Sequence, residues 1–348
     1  MEGMSEERHF REIDLPVYRE ELAPHLPAKI FDTHVHLLRR SDYLPGVDPD
    51  KLKTTAPAPL TRDFTYDHLD AAMRRLFPEQ QWEALIFHNP TRDIDLAAGN
   101  RWIASVAREH SDVHPLMIVT PEMKAAEVEA QVRQGGFIGL KPYEGLGPKP
   151  VRGETRIADF LTADHMAVAD ALGLIVILHV PRKGRIGDPV NIRDVAELCA
   201  RWRNARIILA HIGRSYGPWF IEQAIGTFKD LPNLHYDVAA LDDAETIEVV
   251  LENVPHTRLH FASDLPVTLL RGRHMCVNRH CFFLTEEPCP NSITPPKGAA
   301  FPMTFMLYET VRALLRACRK RKLSKAAVEG VFHDNAVAVV QNIGRKLT

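Results

Sequence analysis

Short apolar runs alternate with longer amphipathic stretches along almost the whole chain. The runs are KIFDTH (29–34), ALIFHN (84–89), HPLMIVT (114–120), FIGLK (137–141), LIVILHV (174–180), RIILAHI (206–212), NLHYDV (233–238) and RLHFASD (258–264). They are rich in Ile, Val, Leu and Phe and lack the polar alternation of a strand with one wet face, so they predict eight strands buried on both sides. Between them, stretches with helical spacing carry recognisable ends. TADHMAVADALG begins on the capping residue Thr162 and stops at Gly173. PEMKAAEVEAQVRQGG (121–136) opens with Pro121 in its first turn and closes on two glycines. Further helices are predicted over 91–109, 191–203, 218–229, 242–253 and 304–320, and a last helical region, 324–342, falls outside the eightfold repeat.

Eight strands alternating with helices predict an α/β chain folded as a single-domain (β/α)8 TIM barrel over residues 29–348, with residues 1–28 as an N-terminal arm. An open doubly wound sheet is the competitor, but no Gly-rich phosphate fingerprint follows an early strand. Two stretches exceed a minimal barrel: the Pro-rich segment 37–64 after the first strand, and 265–303 after the eighth. Long loops that follow strands are where barrels place substrate recognition.

Composition narrows the class. Lys and Arg number 43 against 45 acidic residues, a formal charge of −2, which argues against a nucleic-acid or membrane-surface partner. The longest apolar stretch, ALGLIVIL (171–178), is too short to span a bilayer, and MEGMSEERHFREIDL lacks the apolar core of a signal peptide. The five cysteines, odd in number and irregularly spaced, read as reduced thiols. The expectation is a cytoplasmic globular protein whose core needs no disulfide.

The polar residues at the carboxyl ends of the predicted strands form a constellation. Strand one ends in His34 and His36, strand four in Lys141, strand five in His179, strand six in His211 and strand eight in Asp264. Residues i and i+2 of a strand share a face, and all carboxyl ends of a barrel open onto one mouth, so these side chains can meet. Imidazoles with a carboxylate suit Zn²⁺ and related divalent ions. Read singly, each has a plainer role: His34, His36, His179 and His211 as buried structural histidines, and Asp264 as the cap of a turn.

In order and approximate spacing, DTHVH, GLKPY, ILHV, LAHIG and FASD make the chain resemble the amidohydrolase superfamily of metal-dependent barrels. Within it, the chain is most similar to the amidohydrolase-2 branch that includes aminocarboxymuconate-semialdehyde decarboxylase and related hydrolases. The resemblance implies one divalent metal, zinc before manganese, held by His34, His36, His179 and Asp264, with His211 over the substrate. It leaves Lys141 two roles. In binuclear members a carbamylated strand-four lysine bridges two ions, and His179 and His211 then bind the second. In the branch favoured here, one ion is enough and the ammonium pairs with an anionic substrate.

Arg182, Lys183 and Arg185 follow His179, Arg214 follows His211, and Arg271, Arg273 and Arg279 follow Asp264. Guanidinium groups bind carboxylates in a bidentate manner, so Arg182, Arg185 and Arg214 are the candidate clamp for a small anionic substrate, and the plainer reading is solvated loops. His274, Cys276, His280, Cys281 and Cys289 lie close together, but their spacing fits no regular zinc module. The expected activity is metal-dependent hydrolysis of a lactone or amide, with Asp264 and His211 as catalytic residues. The alternative is non-oxidative decarboxylation at the same centre. A barrel that only binds predicts a missing ligand, and none is missing. A metal-dependent nuclease is disfavoured by Lys141 and by the balanced charge. Pairing of two barrels is compatible with the class, although no segment marks an interface.

Overall fold

The computed structural model describes residues 6–52, 63–148, 154–289, 292–296 and 301–347. The ends of the predicted arm and barrel (1–5 and 348) lie outside these residues, as do 53–62 of the first insertion and 290–291 and 297–300 of the second. Eight parallel strands form one sheet in sequence order: β1 Lys29–His36, β2 Gln81–Phe87, β3 Val113–Ile118, β4 Gly139–Lys141, β5 Ile175–Leu178, β6 Arg206–Leu209, β7 Leu234–Asp237 and β8 Leu259–His260. Backbone bonds close β8 onto β1, with Thr33 N donating to Phe261 O (3.1 Å), Asp264 N to His34 O (2.9 Å) and His36 N to Leu265 O (2.8 Å). The (β/α)8 TIM barrel is thereby formed. All four residues of β5 are buried, as strands covered on both faces must be.

Strand β1 carries an extra residue. Asp32 opposes Ala84 but Val35 opposes Ile86, a bulge within DTHV that re-aims the side chains following it. Asp32 Oδ1 accepts from His34 N (3.1 Å) and Ser263 N (2.9 Å), so a side chain completes the ladder where the backbone departs from it. Burial lifts this carboxyl to about 7, against the opposing hydrogen bonds from Ser263 and His34.

The outer ring consists of α1 Tyr66–Leu76, α2 Leu96–Glu109, α3 Ala125–Gly135, α4 Ala163–Leu172, α5 Pro189–Arg201, α6 Pro218–Phe228, α7 Ala244–Asn253 and α8 Met306–Lys320. Helix α1 has no counterpart in the sequence prediction. Its fully buried residues are Leu69, Met73 and Leu76, spaced as one helical face, and it adjoins the Pro-rich insertion. Helix α2 starts at residue 96 rather than 91, because Asp95 caps it by accepting from Ala98 N (2.9 Å). Helix α3 starts at 125, which leaves Pro121 in a turn ahead of it. The predicted 324–342 segment is Lys325–Glu329, a π turn Gly330–Asp334 and α9 Asn335–Leu347. At the π turn Phe332 stacks on Phe261, with ring centroids 5.3 Å apart. No helix among the described residues is long and apolar enough to cross a membrane.

The segment after β8 is not a plain loop. It builds a small sheet from β9 Gly272–Val277, β10 His280–Thr285 and β11 Ser292–Ile293. Asn278 and Arg279, both at positive φ (50° and 64°), make the two-residue turn between β9 and β10. That register sets Cys276 opposite Cys281, and the two form a disulfide with Cα atoms 4.1 Å apart. This corrects the expectation of five reduced thiols; Cys199, Cys289 and Cys318 are the free ones. The bond also removes two of the donors that a structural ion in 274–289 would need. Linear spacing conceals the pair, because only the tight turn brings residues five apart into register.

Both ends of the hairpin are tied down. At its base, Arg271 donates to Asp14 Oδ2 (2.5 Å) and Glu6 Oε2 (2.8 Å) of the N-terminal segment, and Thr304 Oγ1 donates to Asp14 Oδ1 (2.9 Å). At the mouth, His274 N donates to Asp242 Oδ2 (2.5 Å). Asp242 is 5 % exposed, and burial raises its pKa to about 7 against that hydrogen bond. The unfolded value is about 4. Between the two, the folded protein holds a proton that the unfolded chain has released, so this group's contribution to stability falls as pH rises through that window. Asp242→Asn is therefore expected to show a shallower decline of Tm from pH 4.5 to 8 than the parent. Parallel profiles would mean that this carboxyl does not titrate there.

Candidate metal centre at the barrel mouth

The six predicted side chains all stand at the carboxyl ends of their strands. His34, His36 and Lys141 are within or at the ends of β1 and β4, and His179, His211 and Asp264 follow β5, β6 and β8. Ligating atoms of His34, His211 and Asp264 lie within 4.8 Å of one another. Asp264 Oδ1 is 3.6 Å from His34 Nε2 and 3.4 Å from His36 Nε2. His179 stands further round the mouth, its ring 5.5 Å from that of His211 and 4.9 Å from that of Tyr143, centroid to centroid.

Burial dominates the electrostatics. It drives His34, His36 and His179 well below the usual histidine range, helped by nearby cations, so all three are neutral and have lone pairs to offer. It raises Asp264 to about 6 while His211 and Lys141 pull it back. It lowers Lys141 to about 8, against the pull of Asp237 and Asp264. The lysine Nζ lies 3.1 Å from His34 Nε2 and 4.3 Å above the Phe87 ring.

A seventh residue, Asp237 at the end of β7, organises the rest. Its Oδ2 lies 3.0 Å from His34 Nδ1, and its Oδ1 accepts from His211 N (2.7 Å) and Ala239 N (3.1 Å). Ala239 O lies 2.7 Å from His211 Nδ1. A carbonyl or carboxylate oxygen can only accept, so both Nδ1 atoms carry the hydrogen and both Nε2 atoms face the mouth, with a lone pair on that of the neutral His34. A divalent ion fits this chemistry: neutral imidazoles with oriented lone pairs, a carboxylate, and buried Nδ1 atoms on His36 and His179 that have no partner. Asp237 escaped the sequence reading, although a strand-end Asp in HYDV is the same kind of signal that picked out Asp264.

The predicted arginines divide. Arg182 Nε is 3.0 Å from Asp188 Oδ2, an ion pair within its own loop. Arg185 lies over Tyr216 (4.9 Å) and Phe220 (4.8 Å), and its Nη1 donates to Arg214 O (3.2 Å). Arg214 Nη1 donates to Val180 O (3.2 Å). Among the described residues no carboxylate lies within 4 Å of Arg185 or Arg214. Backbone strain collects here as well: Arg182, Arg185, His211, Ile212, Arg214 and Asp264 all have φ between 49° and 68°. Such residues cost about 1–3 kcal/mol each and persist where surrounding structure holds them for function.

Residues 31–341 match the family model described as amidohydrolase (Amidohydro_2). The chain belongs to the amidohydrolase-2 family. No curated protein sequence matches it. Among solved structures, it is similar to an amidohydrolase from Burkholderia multivorans with bound HEPES, at TM-score 0.57 and 14% identity over 90% of this chain and 99% of that one. It is also similar to 5-carboxyvanillate decarboxylase from Sphingomonas paucimobilis, at TM-score 0.53 and 12% identity, again over 90% and 99%. A probable 2-pyrone-4,6-dicarboxylic acid hydrolase from Acinetobacter baumannii with citric acid bound gives 0.53 and 13%, with the same coverages. At these identities the neighbours establish the barrel, and the family's usual dependence on a divalent metal agrees with the donor set described above.

If Asp237 orients His34 for an ion, Asp237→Ala is expected to weaken divalent-metal affinity about 10–100-fold. Competition with a chromogenic chelator measures this without any substrate. Unchanged affinity would reduce Asp237 to a packing residue.

Proposed function

We propose that this amidohydrolase-2 protein is a metal-dependent hydrolase of a small, carboxylate-bearing lactone or amide. The observation that carries the reading is the convergence of His34, His211 and Asp264 within 4.8 Å at the mouth. The proposed ligand set is His34, His36, His179 and Asp264. A divalent ion there, zinc before manganese, would polarise a carbonyl oxygen and acidify a water molecule.

The chain's own groups do the rest. Asp264, raised to about 6, is mostly ionised at neutral pH and can take a proton from the attacking water. Water oxygen bonds to the acyl carbon, the carbon–oxygen or carbon–nitrogen bond breaks, and the proton held on Asp264 passes to the leaving group. His211, fixed through Nδ1, presents Nε2 to the same space, where its protonated form can donate to the developing oxyanion. Lys141, when charged, and the Arg185 and Arg214 guanidinium groups hold the substrate's carboxylate. Ligation through His34 Nε2 requires Lys141 to release that nitrogen.

Non-oxidative decarboxylation is the second reading, favoured by the decarboxylases among the structural neighbours. In that reaction the carbon–carboxylate bond breaks and Asp264 or His211 delivers a proton to carbon.

Elemental analysis of the purified protein is expected to give about one divalent ion per chain, absent from His34→Ala and His179→Ala and retained in His211→Ala. Loss in His211→Ala with retention in His179→Ala would exchange the roles of these two histidines. About two ions per chain would make Lys141 a bridge. On a panel of lactones, amides and aromatic acids, net acid release without carbon dioxide supports hydrolysis, and carbon dioxide release supports the second reading.

A further inference from the structure

The small sheet after β8 has two unlike faces. Residues opposite one another in paired strands share a face, and neighbours along a strand alternate. His274 with Phe283 and Cys276 with Cys281 make up the inner face. That face is covered: the His274 ring lies on Tyr216, with centroids 4.2 Å apart, and Cys276 Sγ stands 3.1 Å from Tyr216 O. Met275 with Phe282, Val277 with His280 and Arg273 with Leu284 make up the outer face, where β11 sets Ile293 beside Leu284.

The outer face is left in solvent. Met275 is 38% exposed, Val277 56% and Ile293 54%, and Phe282 and Leu284 lie half-buried among them. Single exposed apolar side chains are ordinary, but a contiguous group on one sheet face marks an interaction surface. A sheet with an apolar face is stable against a second layer, and here the chain supplies a layer on the inner side alone.

The charges around that face select its occupant. Arg273 is turned to Glu309 of its own chain (3.7 Å). Glu286 accepts from Met303 N (3.1 Å) and stands 3.5 Å from His9 Nδ1. Among the described residues, the exposed Arg279 at the turn and the exposed Glu287 beyond the other end of β10 have no ion-pair partner. Eight residues of strand span about 26 Å, so these two cannot meet within one chain. A second copy laid antiparallel brings them together. Phe283 is midway between them in the chain, so a two-fold axis over that position carries Arg279 of each copy to Glu287 of the other and centres the apolar side chains.

We infer that the outer face of β9–β11 docks a second copy of this chain, face to face and antiparallel about a two-fold axis, with an Arg279–Glu287 pair at each end. The inference does not depend on the reaction proposed above. It links assembly to the mouth, because the strands that carry the outer face also hold His274 and Phe283 against it from within. Six-residue strands are about 20 Å long and stand about 4.8 Å apart. The patch is therefore smaller than those that hold permanent dimers, and the association is reversible.

Sedimentation equilibrium of the full chain between about 1 and 500 µM tests this, with an expected Kd of about 1–100 µM. Val277→Asp places a carboxylate in the apolar centre and is expected to weaken association about 10-fold or more. Arg279→Glu sets like charges against Glu287 and is expected to weaken it about 3–10-fold. Adding Glu287→Arg to Arg279→Glu reverses both pairs and is expected to restore Kd to within about twofold of the parent. Circular dichroism checks the fold of each variant, and if Val277→Asp does not fold, Ile293→Asp is read by the same criterion. A parent that stays monomeric at the highest concentration would overturn the inference. So would a dimer whose Kd Val277→Asp leaves unchanged, because its interface would then lie elsewhere. Failure of the reversed pair to restore association would overturn the antiparallel arrangement and with it the assignment of the face to a second copy.

Discussion

One carboxylate with no solvent exposure stands between the two histidines around which the mouth is arranged. Asp237 takes the Nδ1–H of His34 on β1 and the backbone N–H of His211 after β6, so β7 ties its neighbour β6 to β1, a strand it does not pair with. A buried negative charge tolerates this place only because it is surrounded by donors, and it fixes the tautomer of the ring it touches. The remaining polarity of the mouth follows. Asp264 keeps a carboxylate opposite neutral imidazoles, and Lys141 balances the two acids from across the barrel.

The barrel and the set of polar side chains at its mouth were legible in the amino-acid sequence, because apolar runs mark strands buried on both faces and the barrel sends every strand end to one side. What escaped has physical causes. Helix α1 fully buries only Leu69, Met73 and Leu76 and adjoins the Pro-rich insertion, which drew the reading of that stretch as loop. Asp237 was passed over because the ring it orients is distant in sequence: its Oδ2 meets His34, 203 residues earlier. The bond between Cys276 and Cys281 depends on a two-residue turn at Asn278–Arg279 that adopts left-handed backbone without glycine. Arg182 reads like its neighbours in PRKGR, yet Asp188 at the start of α5 claims it. In each case short-range pattern was silent about a long-range or strained contact.

The mouth combines rigid and imported parts. Strand ends supply the proposed ligands, as barrels generally do. The left-handed run His211–Arg214 aims Arg214 at Val180, and the inserted hairpin adds an aromatic and imidazole surface that the eight βα units do not contain. Loop identity, more than the barrel, therefore decides what the centre can receive.

Asp14, fully buried, meets Arg271 and Thr304 at the base of that hairpin. The acid is synthesised 257 residues before its guanidinium partner. At ribosomal speeds of about 5–20 residues per second, the interval is roughly 13–50 s. Throughout that time Asp14 lacks its guanidinium partner, although all eight barrel strands are made within it. The mouth is thus completed late, when the first and final portions of the chain meet, and a nascent chain interrupted before residue 271 would carry the six strand-end side chains without the hairpin that stands beside them.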